Sequence, residues 1–364
     1  MQAGRAGGSA RRARSYPTPA VDRGSGAPTA YHARVQPDPS PLVSVVIPTY
    51  NQASYLRASI DSVLAQTYPA VEVVVVDDGS TDETPDILAS YGDRIRAIRQ
   101  TNHGAANALN HGIRESRGRY VCWLSSDDAF VPDKVARQVA AFEADPELGL
   151  SFMGFDTIDA QGAFIADRSD LPWRHPDLLV SVFWANPING STVMMPRAVM
   201  DEVGPFDEAL RADVDAEMWF RVLAGHPAAH IPGVHLHYRV HDKALSADRG
   251  LMHRSKTMVR QRILREGILV GRLQAHDRAA TPRILAEMSE MFTGQGMHDL
   301  GRALLVRSMR MGRAWPAQRS AAARLVEARL PKRLRRLRRP SIRRWLGRTR
   351  RLVGAAARRL PGAR

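Results

Sequence analysis

The chain has 364 residues, of which 44% are apolar and 24% charged, values that exclude a wholly disordered or fibrous protein and leave room for a sizeable core. Its net charge of +15 is local: residues 331–364 hold fourteen Lys or Arg and no acid, while residues 41–330 carry 32 basic and 35 acidic side chains, so no basic field covers the body. The single cysteine, Cys122, excludes an intrachain disulfide and a multi-Cys metal cage; with no apolar run of about eighteen residues and no secretory signal, a cytoplasmic location is expected.

Residues 1–40, rich in Gly, Ala, Ser, Pro and Arg, read as a disordered leader. From Val43 onwards, β-branched runs alternate with helical stretches, the pattern of a mostly parallel sheet flanked by helices. Strands are expected at 43–47, 71–76, 95–98 and 120–124. A helix ending near Gln66 carries Tyr55, Ile60, Val63 and Leu64 as its apolar stripe. Thr81 or Asp82 is expected to cap the next helix, 105–115 is helical, and another helix runs from Pro132, at its first position, to about Ala144. Residues 41–245 form the expected α/β domain. Residues 251–330 read as a small all-α domain, with breaks near Thr281, Gly294 and Pro316.

In open α/β sheets, ligands sit beyond the carboxyl ends of the strands, so the acids that follow apolar runs are the candidates for chemistry. Asp77-Asp78-Gly79-Ser80 follows the second strand, Asp127-Asp128 follows the fourth, and Asp215 opens a later helix. A carboxylate at Asp78 can accept the imide N–H of uracil or thymine; the competing reading is an Asx turn. Asp127-Asp128 can hold a hard divalent cation whose remaining ligands are phosphate oxygens and water, or it can simply cap a helix. Asp215 can take the proton of an attacking hydroxyl, or it can serve the helix dipole, and Asp213 and Glu217 compete with it.

These segments together resemble the family 2 glycosyltransferases, inverting enzymes with the glycosyltransferase A-type fold. The matching runs are V-S-V-V-I-P-T-Y-N at 43–51, V-V-V-V-D-D-G-S-T-D at 73–82, L-S-S-D-D at 124–128, M-M-P-R at 194–197, G-P-F-D-E at 204–208 and D-A-E-M-W-F-R at 215–221. The resemblance implies that Pro48, Tyr50 and Asp78 line the base pocket, that Asp127 lies near the ribose, that Asp128 binds Mg2+ or Mn2+, and that Asp215 is the general base. It also places His241, in Y-R-V-H, at a further metal or diphosphate contact, with His235 and His237 as competitors. The implied partners are a UDP- or dTDP-sugar donor and a glycan or lipid-linked acceptor hydroxyl. Where the family often has Ala-Arg-Asn, this chain has Ala108-Leu109-Asn110, so a donor contact by that Arg is missing. With no Q-x-x-R-W segment, non-processive transfer is expected.

Past Pro340 the apolar residues, Trp345 among them, fall on one helical face with Arg on the others. The expected partner of this basic amphipathic helix is an anionic membrane surface. A solvated Arg-rich end competes with that reading; nucleic acid is disfavoured because only one aromatic interrupts the run. The alternative to an enzyme is a non-catalytic nucleotide-sugar or glycan-binding scaffold at the membrane surface.

Overall fold

The computed structural model describes residues 40–170, 174–312 and 315–329. The expected leader at 1–40, apart from Ser40, and the tail at 331–364 lie outside the described residues.

Val43–Thr49 (β1), Val71–Asp77 (β2), Arg96–Arg99 (β3) and Tyr120–Trp123 (β4) pair in the order β3-β2-β1-β4, all parallel. Their near-continuous Val and Ile runs suit strands covered on both faces. Alternate β1 residues face opposite layers: Val43, Val45 and Ile47 pack with Leu56 and Ile60 of helix α1 (Ala53–Leu64), and Val46 packs with Ala106 and Leu109 of α3 (Ala105–Glu115). The short helix α2 (Thr84–Ala89) lies between β2 and β3. Helix α3 approaches the sheet so closely that a Cβ on Gly112 would lie 2.4 Å from Val46 Cγ1 and 3.0 Å from Val76 Cγ2. Cys122 is fully buried in β4, and burial pushes its thiol pKa up.

Beyond β4 the sheet becomes mixed. It adds Ala129–Phe130 (β5), Leu150–Ile158 (β6), Phe164–Arg168 (β7), Met194–Pro196 (β8) and Ala228–Arg239 (β9). β8 lies antiparallel between β4 and β6, β9 is parallel to β6, and β5 and β7 add antiparallel partners at β9 and β6. Parallel pairing among consecutive strands is thus confined to the first four, where helical crossovers supply the return path. The helices of this half are Lys134–Ala144 (α4), Leu178–Ala185 (α5), Arg197–Val203 (α6) and Val214–Gly225 (α7).

Several local expectations shift. Helix α4 begins at Lys134, so Pro132 precedes it, and the Pro132 carbonyl instead accepts from Thr67 N at 2.9 Å. Asp82 does not cap α2 alone: its two oxygens accept from Thr84 N (3.1 Å) and from Ala53 N at the start of α1 (3.0 Å). Leu64 closes α1 with 38% of its surface exposed, off the buried stripe.

The C-terminal helices are Arg249–Glu266 (α8), Ile268–Asp277 (α9), Thr281–Gly294 (α10), His298–Met311 (α11) and Trp315–Arg329 (α12). Gly267, with φ +81°, breaks α8 from α9, a stop that the apolar pattern does not announce. Pro316 lies in the first turn of α12 and not between helices. One apolar cluster runs from Val46, Trp123 and Phe152 through Phe183 and Trp219 to Val259, Leu285 and Leu304. Sheet and helices therefore share a core. Among the described residues, no helix is long and apolar enough to cross a membrane.

Candidate active site

The strand order turns outward between β1 and β4, the switch point where an open α/β sheet leaves a crevice at its carboxyl edge. A cavity of about 560 Å³ opens there. Its walls include Pro48, Thr49 and Tyr50 at the end of β1, Asp78 after β2, Ser125 to Asp127 after β4, the 102–108 segment that enters α3, Glu208, Leu210 and Arg211 ahead of α7, and Lys243, Leu245 and Leu251 beyond β9.

The β1 and β2 ends are laced together. Asn51, held at φ +54°, donates its N–H to Ser80 Oγ (2.9 Å) and accepts Thr81 N–H on its side chain (2.8 Å). Asp77 spends Oδ1 on Ser80 N (2.8 Å), which is the Asx turn. Asp78 does something else. Its Oδ1 accepts from Gln100 Nε2 and His103 N, and its Oδ2 accepts from Gly104 N, at 2.8 to 2.9 Å. Gly104 meets it with φ +93°, a backbone that other residues rarely adopt. Asp78 is thus locked in one orientation at the cavity wall. Pro48 and Tyr50 line the same wall, Tyr50 with 46% of its surface exposed.

Asp127 and Asp128 part company. Asp128 is 1% exposed; Ser191 Oγ donates to its Oδ2 (3.0 Å) and Arg239 N to its Oδ1 (2.9 Å). Burial, and then the charge of Asp127, push its pKa well above the usual carboxylate range. Each oxygen of Asp128 accepts one hydrogen bond, and Asp128 is not among the residues lining the cavity. Asp127 does line it, and its Oδ2 lies 2.9 Å from His241 Nε2. The Nδ1 of the buried His241 ring has no hydrogen-bond partner among the described residues. His235 and His237 are engaged elsewhere, with Asp133 at 3.0 Å and Asp156 at 2.8 Å. Among the described residues no group of three or more His, Cys, Asp or Glu is set to enclose a metal. The Asp127–His241 pair fits a hard cation that draws most of its ligands from phosphate and water.

Arg239 ties this corner together. Its Nε donates to the Asp127 carbonyl (2.8 Å), its Nη1 to the Asp159 carbonyl (3.0 Å), and its guanidinium lies over the Tyr55 ring at 4.9 Å.

At the start of α7 three acids stand within five residues. Asp213 lies 3.4 Å from the Arg260 guanidinium, and Glu217 is held by Arg221 through Nε and Nη2 at 2.8 to 3.1 Å. Asp215 alone has no cation in contact among the described residues; its Oδ1 accepts from Ala216 N at 2.8 Å. Burial first, and the negative Asp213 second, push its pKa up to about 7. Asp215 is not among the residues lining the 560 Å³ cavity. It is linked to the Asp127–Asp128 end through Tyr238: burial raises the Tyr238 pKa, and all three carboxylates add to that shift.

The G-P-F-D-E loop is pinned by α3. Asn110 brackets Phe206, donating to its O and accepting from its N at 2.9 Å each, while Asn110 and Asn107 both donate to Glu208 at 2.8 Å. Leu109, where the family often carries Arg, points into the core.

Residues 44–195 match the model of Glycosyl transferase family 2. That segment is similar to members of the family. The chain is 37% identical over 207 residues to an uncharacterized glycosyltransferase of Rickettsia typhi, a match covering 56% of this chain and 65% of that one. Over 194 residues it is 32% identical to the chondroitin synthase of Escherichia coli, covering 52% of this chain and 28% of the synthase. The chain thus spans less than two thirds of these relatives. S. aureus TarS 1–349 in complex with UDP-GlcNAc is similar in fold, with a TM-score of 0.56 and 18% identity over 79% of this chain and 89% of that one. The fold is the glycosyltransferase A type expected from the sequence.

Sequence reading missed the residues that orient the acids: Gln100, Ser191, Arg239 and Arg260. Arg239 lies inside the quoted Y-R-V-H run, which was a usable signal; Arg260 sits in a plain helical stretch and gave none.

Proposed function

We propose that this glycosyltransferase domain moves a sugar from a UDP- or dTDP-sugar to an acceptor hydroxyl in a single inverting displacement. The observation that carries the reading is the division of labour among carboxylates: Asp78 and Asp127 face one cavity, and of the three acids opening α7 only Asp215 is left without a cation among the described residues.

Asp78, fixed by three donors, has lone-pair capacity left for the imide N–H of uracil or thymine and would repel the acceptor N3 of cytosine. Pro48 and Tyr50 flank the base. Asp127 and His241 would hold Mg2+ or Mn2+, which when bound neutralises charge on the departing diphosphate. This moves the metal role from Asp128 to Asp127, and Asp128 becomes the buried anchor that Ser191 and Arg239 hold in place. Asp215 takes the proton of the acceptor hydroxyl as its oxygen bonds to the anomeric carbon and the nucleoside diphosphate leaves. The chondroitin synthase relative supports a glycan acceptor, growing or lipid-linked, in cell-surface polysaccharide assembly.

Thermal shift with UDP, dTDP and CDP, each with and without Mn2+, tests the site. UDP or dTDP with Mn2+ should raise Tm most and CDP least; equal shifts from all three would remove the Asp78 role. Nucleotide-sugar binding without release of nucleoside diphosphate, with an acceptor panel present, would favour a scaffold over an enzyme.

A further inference from the structure

Arg260, on α8, has no place in the chemistry above, yet it is buried to 4% exposure. Its Nη1 lies 3.4 Å from Asp213 Oδ2, its Nε donates to the Phe183 carbonyl at 2.8 Å, and its guanidinium lies 5.7 Å from the Phe292 ring centroid. A guanidinium stripped of water is costly unless it is paired and hydrogen-bonded, and here both conditions are met by residues 47 and 77 positions away. Its partner is unusual too. Asp213 caps α7 in the left-handed region, at φ +59°, a backbone that a non-glycine residue keeps only where its surroundings hold it there. Asp215 follows two residues later.

We infer that Arg260 is a positioning residue for Asp215: it keeps Asp213 ionised and pins the left-handed turn, so that Asp215 is the carboxylate presented to take a proton. The inference rests on the reading of Asp215 as the base. Two carboxylates this close compete for one proton, and the cation touching one of them decides which takes it. The charged and titratable groups facing Asp215 are Asp213 on the same turn, Lys256 and Arg260 from α8, and Tyr238 from β9. Lys256 and Arg260 both act on the two acids, but of the two cations Arg260 is the one in contact, with Asp213, where it opposes the rise in pKa that burial causes. A helix beyond the residues matched to the family thereby sets the ionisation at the start of α7.

The test is a carboxyl titration of the full chain with 13C-labelled aspartate, read by NMR without substrate, the two signals assigned from Asp213→Asn and Asp215→Asn. Arg260→Met should raise the Asp213 midpoint by more than one pH unit, and Arg260→Lys should return most of that shift. With UDP-GlcNAc and Mn2+, nucleoside diphosphate release by Arg260→Met should fall at least tenfold in kcat with donor KM held within twofold. An unmoved Asp213 midpoint in folded Arg260→Met overturns the proposal whatever the turnover. Wild-type turnover in Asp215→Asn overturns the base reading alone and leaves the titration to decide on Arg260. If Arg260→Met does not fold, Asp213→Asn, nearly isosteric, carries the test: it should leave the Asp215 signal with a lower midpoint, and an unchanged Asp215 midpoint overturns the proposal.

Discussion

At the scale of single residues, the site depends on which carboxylates are already spent. Asp215→Asn should lower kcat by about 10² to 10⁴, the usual range for losing a positioned general base. Because the Asp215 pKa is raised to about 7 in the ligand-free protein, and a base must be deprotonated, wild-type kcat/KM should climb with pH and reach half its plateau near 7. A rate flat from pH 5.5 to 8.5 would sink the assignment. Asp127 and Asp128 separate on a different axis. Asp127→Asn should abolish the Mn2+-dependent part of the UDP thermal shift with little change in the ligand-free Tm. Asp128→Ala strands the Arg239 N–H and leaves Ser191 Oγ only its contacts with Ser125, so it should cost roughly 1–3 kcal/mol in chemical denaturation. The reverse pattern would restore Asp128 to the metal. The sequence places both acids after β4 but does not say which one faces the cavity. That depends on Ser191 and Arg239, 63 and 111 residues away. In the same way Asp213, Asp215 and Glu217 are interchangeable in sequence until Arg260 and Arg221 claim two of them.

At the scale of elements, the strand ends were legible because apolar runs stop where the chain meets solvent and ligand; β1 extends to Thr49 and β2 to Asp77, delivering Pro48, Tyr50 and Asp78 to one wall. Helix starts were less legible. Asp82 serves two helices at once, and Pro132 gives its carbonyl to Thr67, choices made by tertiary contacts and invisible to a local pattern. The antiparallel half of the sheet was equally hidden, since β8 is only three residues long. The α3–sheet contact yields a prediction of its own. Gly112→Ala drives a methyl group into Val46 and Val76, both fully buried, and should cost about 1–3 kcal/mol of stability. The urea midpoint of the variant measures it, and an unchanged midpoint would mean that α3 rides further from the sheet.

At the scale of the whole molecule, the sequence divides the chain near residue 245, while the apolar cluster crosses that line from Phe183 and Trp219 to Val259 and Leu285. We propose that the α/β part needs its C-terminal helices to fold. A chain ended at 247 would expose the faces that α8 and α10 cover, and it should show no cooperative melt above 25 °C, whereas an independent domain would keep one. Arg262, bridging from α8 to Asp207 (2.9 Å), and Arg272, donating from α9 to the Leu223 carbonyl (2.5 Å), add polar ties across the same line.

The solitary thiol of β4 gives this molecule a gauge of its own integrity. With no second sulfhydryl in the sequence, a reagent that consumes thiolate reports one site, and that site is sealed among core strands with its ionisation suppressed. Colour release from an aromatic disulfide reagent would therefore follow only the opening of the central sheet, so every substitution named above could be ranked by a single rate without attaching a dye.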